Sequence, residues 1–334
     1  QYFEKCNLEH LNPNFLHILI GTVSSIHIPV FMLTAGIVLA MSGSQIRTLA
    51  DYYRFEYKKF LRLMLPYISI SVMQLAIETA APIGGFPQTR VALANMVLIP
   101  MQAPAGHLWF LYCLMCIFLI WPIFSSIKTK FLHPILLAGM VMLAILPIPW
   151  PKSEAGTFLF GLRELTWFLP MFAVGYWYGL WLVNPNRRNL LPAILAGCAC
   201  AAAMCYRQLV PLPEDFVGAT LWLSIRLAGY IGGGLCILWL CDIINTWTGR
   251  ICEYLAGIGL RSYDIYLLHV GLVGQPLVFA LSMLHPGMVT TYILFILATI
   301  ATLLVPMLIG EIIRRIPSLA FIMLGIPIRK NPKL

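Results

Sequence analysis

The chain has 334 residues, of which 60% are hydrophobic and only 10% charged, and its formal net charge is +9. A soluble domain carries roughly 25% charged residues, so a soluble globule is excluded and a membrane protein is indicated. The positive excess does not point to nucleic acid, because Lys and Arg fall in short connectors between apolar runs, where they set membrane orientation.

About nine apolar runs approach the roughly 20 residues that a membrane helix needs. In chain order they are 16–42, 63–82, 107–127, 134–150, 158–182, 190–206, 219–244, 264–284 and 289–313. Pro29, Pro66, Pro122, Pro147, Pro170 and Pro306 lie inside them and predict kinks rather than ends. The expected fold class is therefore all-α: a polytopic integral membrane bundle forming one domain over 1–334, without internal repeats. Between the first two runs, 43–62 includes Asp51–Arg62 (DYYRFEYKKFLR) and reads as an amphipathic helix on the cytoplasmic surface. Segment 83–106 contains Pro and Gly, and its apolar centre, 91–101, is too short to span; it is expected to dip into the membrane or cap a cavity. Every second connector is basic, as is the tail 316–334. The positive-inside rule places those connectors and the C-terminus in the cytoplasm, and Gln1 outside.

Polar residues inside such a bundle are costly and usually functional. On this topology they form two groups. The outer group is His27, Glu78, His107, Arg163, Glu164 and Arg226, with Trp109 and Trp167 nearby to stack on a sugar face. Arg226 sits about two turns inside its span and needs a partner, for which Glu164 is the candidate. The inner group is Lys58, Lys59, Arg62, Arg250, Arg261, Ser262, Asp264, Tyr266 and His269, suited to holding the phosphates of a nucleotide-like donor. The plainer reading of both groups is headgroup contact and orientation. His27 and His107 are candidate general bases at the outer end, because an unperturbed histidine titrates near 6.5 and a hydroxyl acceptor must lose its proton. Seven of the nine cysteines lie in apolar runs and read as packing residues. Cys113 and Cys116 form a CxxC without a second ligand pair, so no metal site is expected. P-loop, GxSxG, HExxH and strand–helix GxGxxG motifs are missing.

Five stretches resemble the acyltransferase 3 family of integral membrane acyltransferases. His27–Phe31 followed by Thr34-Ala35-Gly36 is similar to its FHMPLFFFISG stretch, and Lys58–Tyr67 to its basic KKRxxRLLxPY stretch. His107–Leu111 matches HLWFL, Phe172–Tyr176 resembles FFLLGY, and Ser262–His269 resembles SLxIYLLH. The resemblance implies about ten membrane helices in a bacterial cytoplasmic membrane. It also implies transfer of an acetyl group from cytoplasmic acetyl-CoA to a hydroxyl of a surface polysaccharide or lipid-linked sugar, with membrane lipid around the protein. Within it, His27, His107, Glu164 and Arg226 would serve the reaction. Lys58, Lys59, Arg62, Arg261, Tyr266 and His269 would hold the donor. The family's first helix, with an arginine and a histidine about ten residues further on, has no counterpart before Ile26. Either that helix is missing from this sequence, or the protein lacks the usual histidine, in which case His27 would be a substitute base. Thr34-Ala35 stands where Ser is usual, and Leu114 where some members carry Glu.

Two other functions fit buried charges and kinked spans: a transporter or flippase of a sugar or lipid-linked sugar, and an inactive scaffold of the same fold. The missing inverted repeat counts against the transporter.

Overall fold

Long apolar runs in lipid satisfy their backbone only by forming helices, and that is what the chain does. The computed structural model describes residues 13–42, 46, 48–80, 89–125, 132–151, 158–182, 190–245, 249–274 and 288–328. Among these there is no strand. Eleven α-helices follow in order: α1 Pro13–Met41, α2 Leu49–Ala80, α3 Thr89–Leu98, α4 Trp109–Ser125, α5 Leu132–Ile145, α6 Leu162–Leu182, α7 Leu190–Leu209, α8 Phe216–Asn245, α9 Arg250–Leu268, α10 Met288–Arg314 and α11 Pro317–Leu324. Three of them are long and apolar enough to cross a membrane, over Leu49–Ile77, Phe216–Cys241 and Ile296–Arg314. Shorter apolar helices occupy His27–Met41, Gly106–Pro122, Leu132–Ile145 and Ile194–Ala203.

The segments differ from the sequence reading in four places. The surface segment and the second run form one helix of 32 residues, α2, because no glycine interrupts Leu49–Ala80 and Pro66 is tolerated inside it. Pro147 does not kink α5 but follows its end at Ile145, where the Pro147-Ile148-Pro149 run cannot continue a helix. The run expected from 264 begins earlier, as α9 from Arg250, and continues into a π-helical turn, His269–Gly274; residues 275–287 lie outside the described residues. The tail is not free: α11 packs on α2, with the Ser69 hydroxyl donating to the Ile322 carbonyl at 2.9 Å. Gly325 ends α11 at φ 64°, with its α-carbon so close to the Arg62 backbone that a side chain has no room.

Helices in lipid gain little by excluding water from each other and instead associate through close backbone approach. α1 and α6 are the most extensively packed pair. A Cβ added at Gly36 would strike the Phe172 carbonyl oxygen, and one added at Gly175 the Leu33 carbonyl oxygen. Gly175 and Gly179 form the small-xxx-small spacing on α6. Below this seam Trp121 of α4 is buried edge-on against Phe172 at 5.1 Å and Tyr176 at 4.9 Å between ring centroids. α9 is tied to α10 by an ion pair of the buried Asp264 with Arg314, and by Arg261 to Glu311 at 2.9 Å. α10 also exposes Ile293, Ile296, Leu297, Ile300, Leu304 and Leu308, apolar side chains suited to lipid.

Candidate active site

The helices α1, α2, α4 and α9 enclose a cavity of about 310 Å³, within the size range of small-ligand sites. Four of the five sequence stretches meet there. Phe31, Thr34 and Val38 come from α1, Lys59 and Arg62 from α2, Phe110 and Phe118 from α4, and Ser262, Tyr263 and Tyr266 from α9. Its length follows from helix geometry: Phe31 to Val38 and Phe110 to Phe118 each cover about two turns, roughly 12 Å at 1.5 Å per residue.

The two ends differ in chemistry. At one, Lys59 lies over the Phe118 ring at 4.3 Å and the Phe55 ring at 5.1 Å, and Arg62 is exposed beside it. The Tyr263 hydroxyl donates to the Arg62 carbonyl at 2.5 Å, which holds α9 against α2. At the other end three rings close together: Phe31 to Phe110 at 5.9 Å, Phe31 to Tyr266 at 6.3 Å, and Phe110 to Tyr266 at 5.9 Å.

Each of those rings has a histidine about one helical turn away on the side remote from the basic end: His27 before Phe31, His107 before Phe110, and His269 after Tyr266. The opposite order on α9 reflects its opposite chain direction. His107 and His269 approach edge to face at 5.9 Å between centroids, and His27 is within electrostatic range of His269. None of the three lines the cavity itself; the ring triad stands between.

The imidazoles are oriented by backbone. The His269 Nδ1 lies 2.8 Å from the Ile265 carbonyl oxygen and 3.0 Å from that of Tyr266. Carbonyls only accept, so Nδ1 carries the proton and Nε2 is the basic nitrogen. The His107 ring lies beside the Leu267 backbone. The His107 Nε2 is buried without a partner. Its position is fixed further by the Tyr266 hydroxyl, which donates to the His107 carbonyl at 2.8 Å. The short 3₁₀ turn Gly106–Leu108 that carries His107 folds tightly: a Cβ at Gly106 would collide with the Met101 carbonyl oxygen. Ala103 and Ala105, just before this turn, are buried.

Arg163, Glu164 and Arg226 gather elsewhere, near the start of α6. Arg226 does not pair with Glu164. Its Nε donates to the Tyr230 hydroxyl at 3.0 Å, and its guanidinium lies 5.2 Å from the Trp167 ring, 5.4 Å from Trp222 and 5.2 Å from Tyr230. Trp222, Arg226 and Tyr230 share one face of α8 at i, i+4, i+8 spacing, so ring faces were closer to hand than the carboxylate. Trp109 packs on Phe168 at 5.6 Å, joining this cluster to the histidine end of α4. Of the remaining basic residues, Lys58 is exposed and off the cavity lining, and Arg261 turns to Glu311. The side chains of Glu78 and Arg250 lie outside the described residues. Sequence reasoning missed the ring triad, because Phe31 and Phe110 are indistinguishable from core aromatics until α1, α4 and α9 are brought together. It also missed Glu56, whose two buried carboxylate oxygens lack hydrogen bonds one turn from Lys59. Among the described residues no group of His, Cys, Asp or Glu is arranged to hold a metal ion.

A family model described as an acyltransferase domain, of the acyltransferase 3 type, matches residues 7–311. No curated protein and no solved structure matches the chain.

Proposed function

This chain belongs to the acyltransferase 3 family of membrane acyltransferases, and on that footing we propose that it moves an acetyl group from acetyl-CoA to a hydroxyl of a surface polysaccharide or lipid-linked sugar. The observation that carries the reading is the cavity with a basic end and an aromatic end, with imidazoles just past the rings. Lys59 and Arg62 are placed to pair with donor phosphates, and the apolar length between them and Tyr266 suits an extended, uncharged thioester arm. His107, whose Nε2 is buried without a partner, takes the acceptor hydroxyl proton there as the acceptor oxygen bonds to the acetyl carbon. The carbon–sulfur bond breaks, and the CoA sulfur leaves as the thiol with that proton. His269 and His27 flank this transfer and keep the proton near the rings.

In this reading the basic end faces the cytoplasm of a bacterial cell, the C-terminus is cytoplasmic, and the histidine end serves an acceptor reached from outside. The test is acetyl transfer by purified protein in proteoliposomes with radiolabelled acetyl-CoA. H107Q should lose transfer by about 10²-fold or more, the scale of general-base catalysis, with unchanged membrane insertion. Transfer that survives in H107Q overturns the role of His107.

A further inference from the structure

Two guanidinium groups converge on one indole. Arg163 lies 5.1 Å from the Trp167 ring and Arg226 5.2 Å from it, and Trp167 itself is buried. Like charges this close repel, and Glu164 beside Arg163 offsets only part of that repulsion. Among the described residues neither arginine has a carboxylate within ion-pair distance, although Glu164 is adjacent in sequence to Arg163. The Glu164 side chain points instead toward α4, where its buried Oε2 lacks a hydrogen-bond partner and lies in the same corner as Tyr112. Arg163 uses one nitrogen on the Ala144 carbonyl at the end of α5, at 2.7 Å, and Arg226 uses Nε on Tyr230. A guanidinium has five N–H donors in a planar fork, so both forks retain donors.

The local backbone is built to hold this arrangement. Phe160 and Gly161, immediately before α6, both adopt left-handed conformations, at φ 54° and φ 59°. That is unfavourable for phenylalanine, and it sets the direction in which the first turn of α6 presents Arg163. α8 brings Arg226 to the same ring.

We infer that Arg163, Trp167 and Arg226 form an oxyanion subsite that takes a phosphate group, separate from the cavity lined by Lys59 and Arg62. Paired guanidinium forks match phosphate geometry, and both are held over the buried Trp167 ring. The inference rests on the acceptor reading above and sharpens it: the acceptor is acidic, a sugar joined to lipid through phosphate. A phospholipid headgroup presents the same chemistry, and binding distinguishes the two.

The experiment is equilibrium binding of radiolabelled farnesyl phosphate to the purified protein in neutral maltoside micelles, without acetyl-CoA. Unlabelled farnesyl phosphate, phosphatidylglycerol and farnesol serve as competitors. Saturable binding that farnesol does not displace, weakened about 10-fold or more in R226Q and R163Q and partly restored in R226K, is the expected result. Displacement by farnesyl phosphate at lower concentration than by phosphatidylglycerol assigns the phosphate to the acceptor. The reverse order assigns the same site to a lipid headgroup and removes the acidic-acceptor conclusion. Binding that is absent, or equal in R163Q and wild type with both eluting as native protein, overturns the subsite. Because acetyl-CoA is omitted, loss of binding here leaves the transfer reaction untouched, and loss of transfer leaves this result standing.

Discussion

At the scale of single residues, the His107 Nε2 is buried without a hydrogen-bond partner. A buried Nε2 without a partner is expensive to keep unless something with a proton comes to it. H107Q is therefore expected to lower the rate of transfer while the KM for acetyl-CoA stays within a few-fold of wild type, measured by steady-state kinetics in proteoliposomes. Lys59 and Arg62 belong to the other end and to binding. K59A and R62A are expected to raise that KM by roughly 10-fold or more each, the worth of a charge-assisted hydrogen bond, with the maximal rate retained. His107, Lys59 and Arg62 were legible in the sequence because buried or clustered charge in an apolar chain has few innocent explanations. The aromatic partners were not, since Phe31 and Tyr266 join only when helices 235 positions apart in sequence are packed. The partner of Arg226 was misread for a related reason. Sequence reasoning sought the nearest carboxylate, whereas the helix placed Trp222 and Tyr230 one turn to either side.

At the scale of helices, two joints hold the cavity walls. The α1–α6 seam depends on missing side chains at Gly36 and Gly175, where carbonyl oxygens occupy the space a Cβ would need. G175A is expected to force these helices apart and to destabilise the protein by about 1–3 kcal/mol, the usual cost of overpacking, read as a lower unfolding midpoint in detergent. The second joint is Asp264 with Arg314, which fastens α9 and hence Tyr263 and Tyr266. R314Q leaves a carboxylate that is buried and unpaired, a loss of about 3–5 kcal/mol; the double change D264N/R314Q is expected to recover a substantial part of it in the same measurement. Helix existence was legible from apolar run length for α1, α4, α6, α8 and α10. Boundaries were less so: nothing in composition marks that Leu49–Arg62 continues without a break into the apolar part of α2, since charged and apolar residues share high helix propensity.

At the scale of the molecule, the cavity has a direction. Positive charge sits at one end, histidines at the other, and mutually packed rings between them. Under the proposed function such polarity suits transfer across a membrane, with the donor admitted at the basic end and the acceptor met at the histidine end. The charge alternation along the connectors led to the expected orientation that the proposed function adopts, whereas the burial of His107 depended on how the segment before α4 folds. The ring triad predicts that F110A widens the passage and lets water reach the thioester, so hydrolysis of acetyl-CoA rises relative to acetyl transfer.

The most direct test supplies radiolabelled acetyl-CoA, which does not cross membranes, to one face at a time of sealed vesicles of defined orientation, and follows label into glycan. The account predicts labelling only when donor meets the face carrying Lys59 and Arg62, and none with H107Q. Labelling from the opposite face, or equal labelling with H107Q, would contradict it.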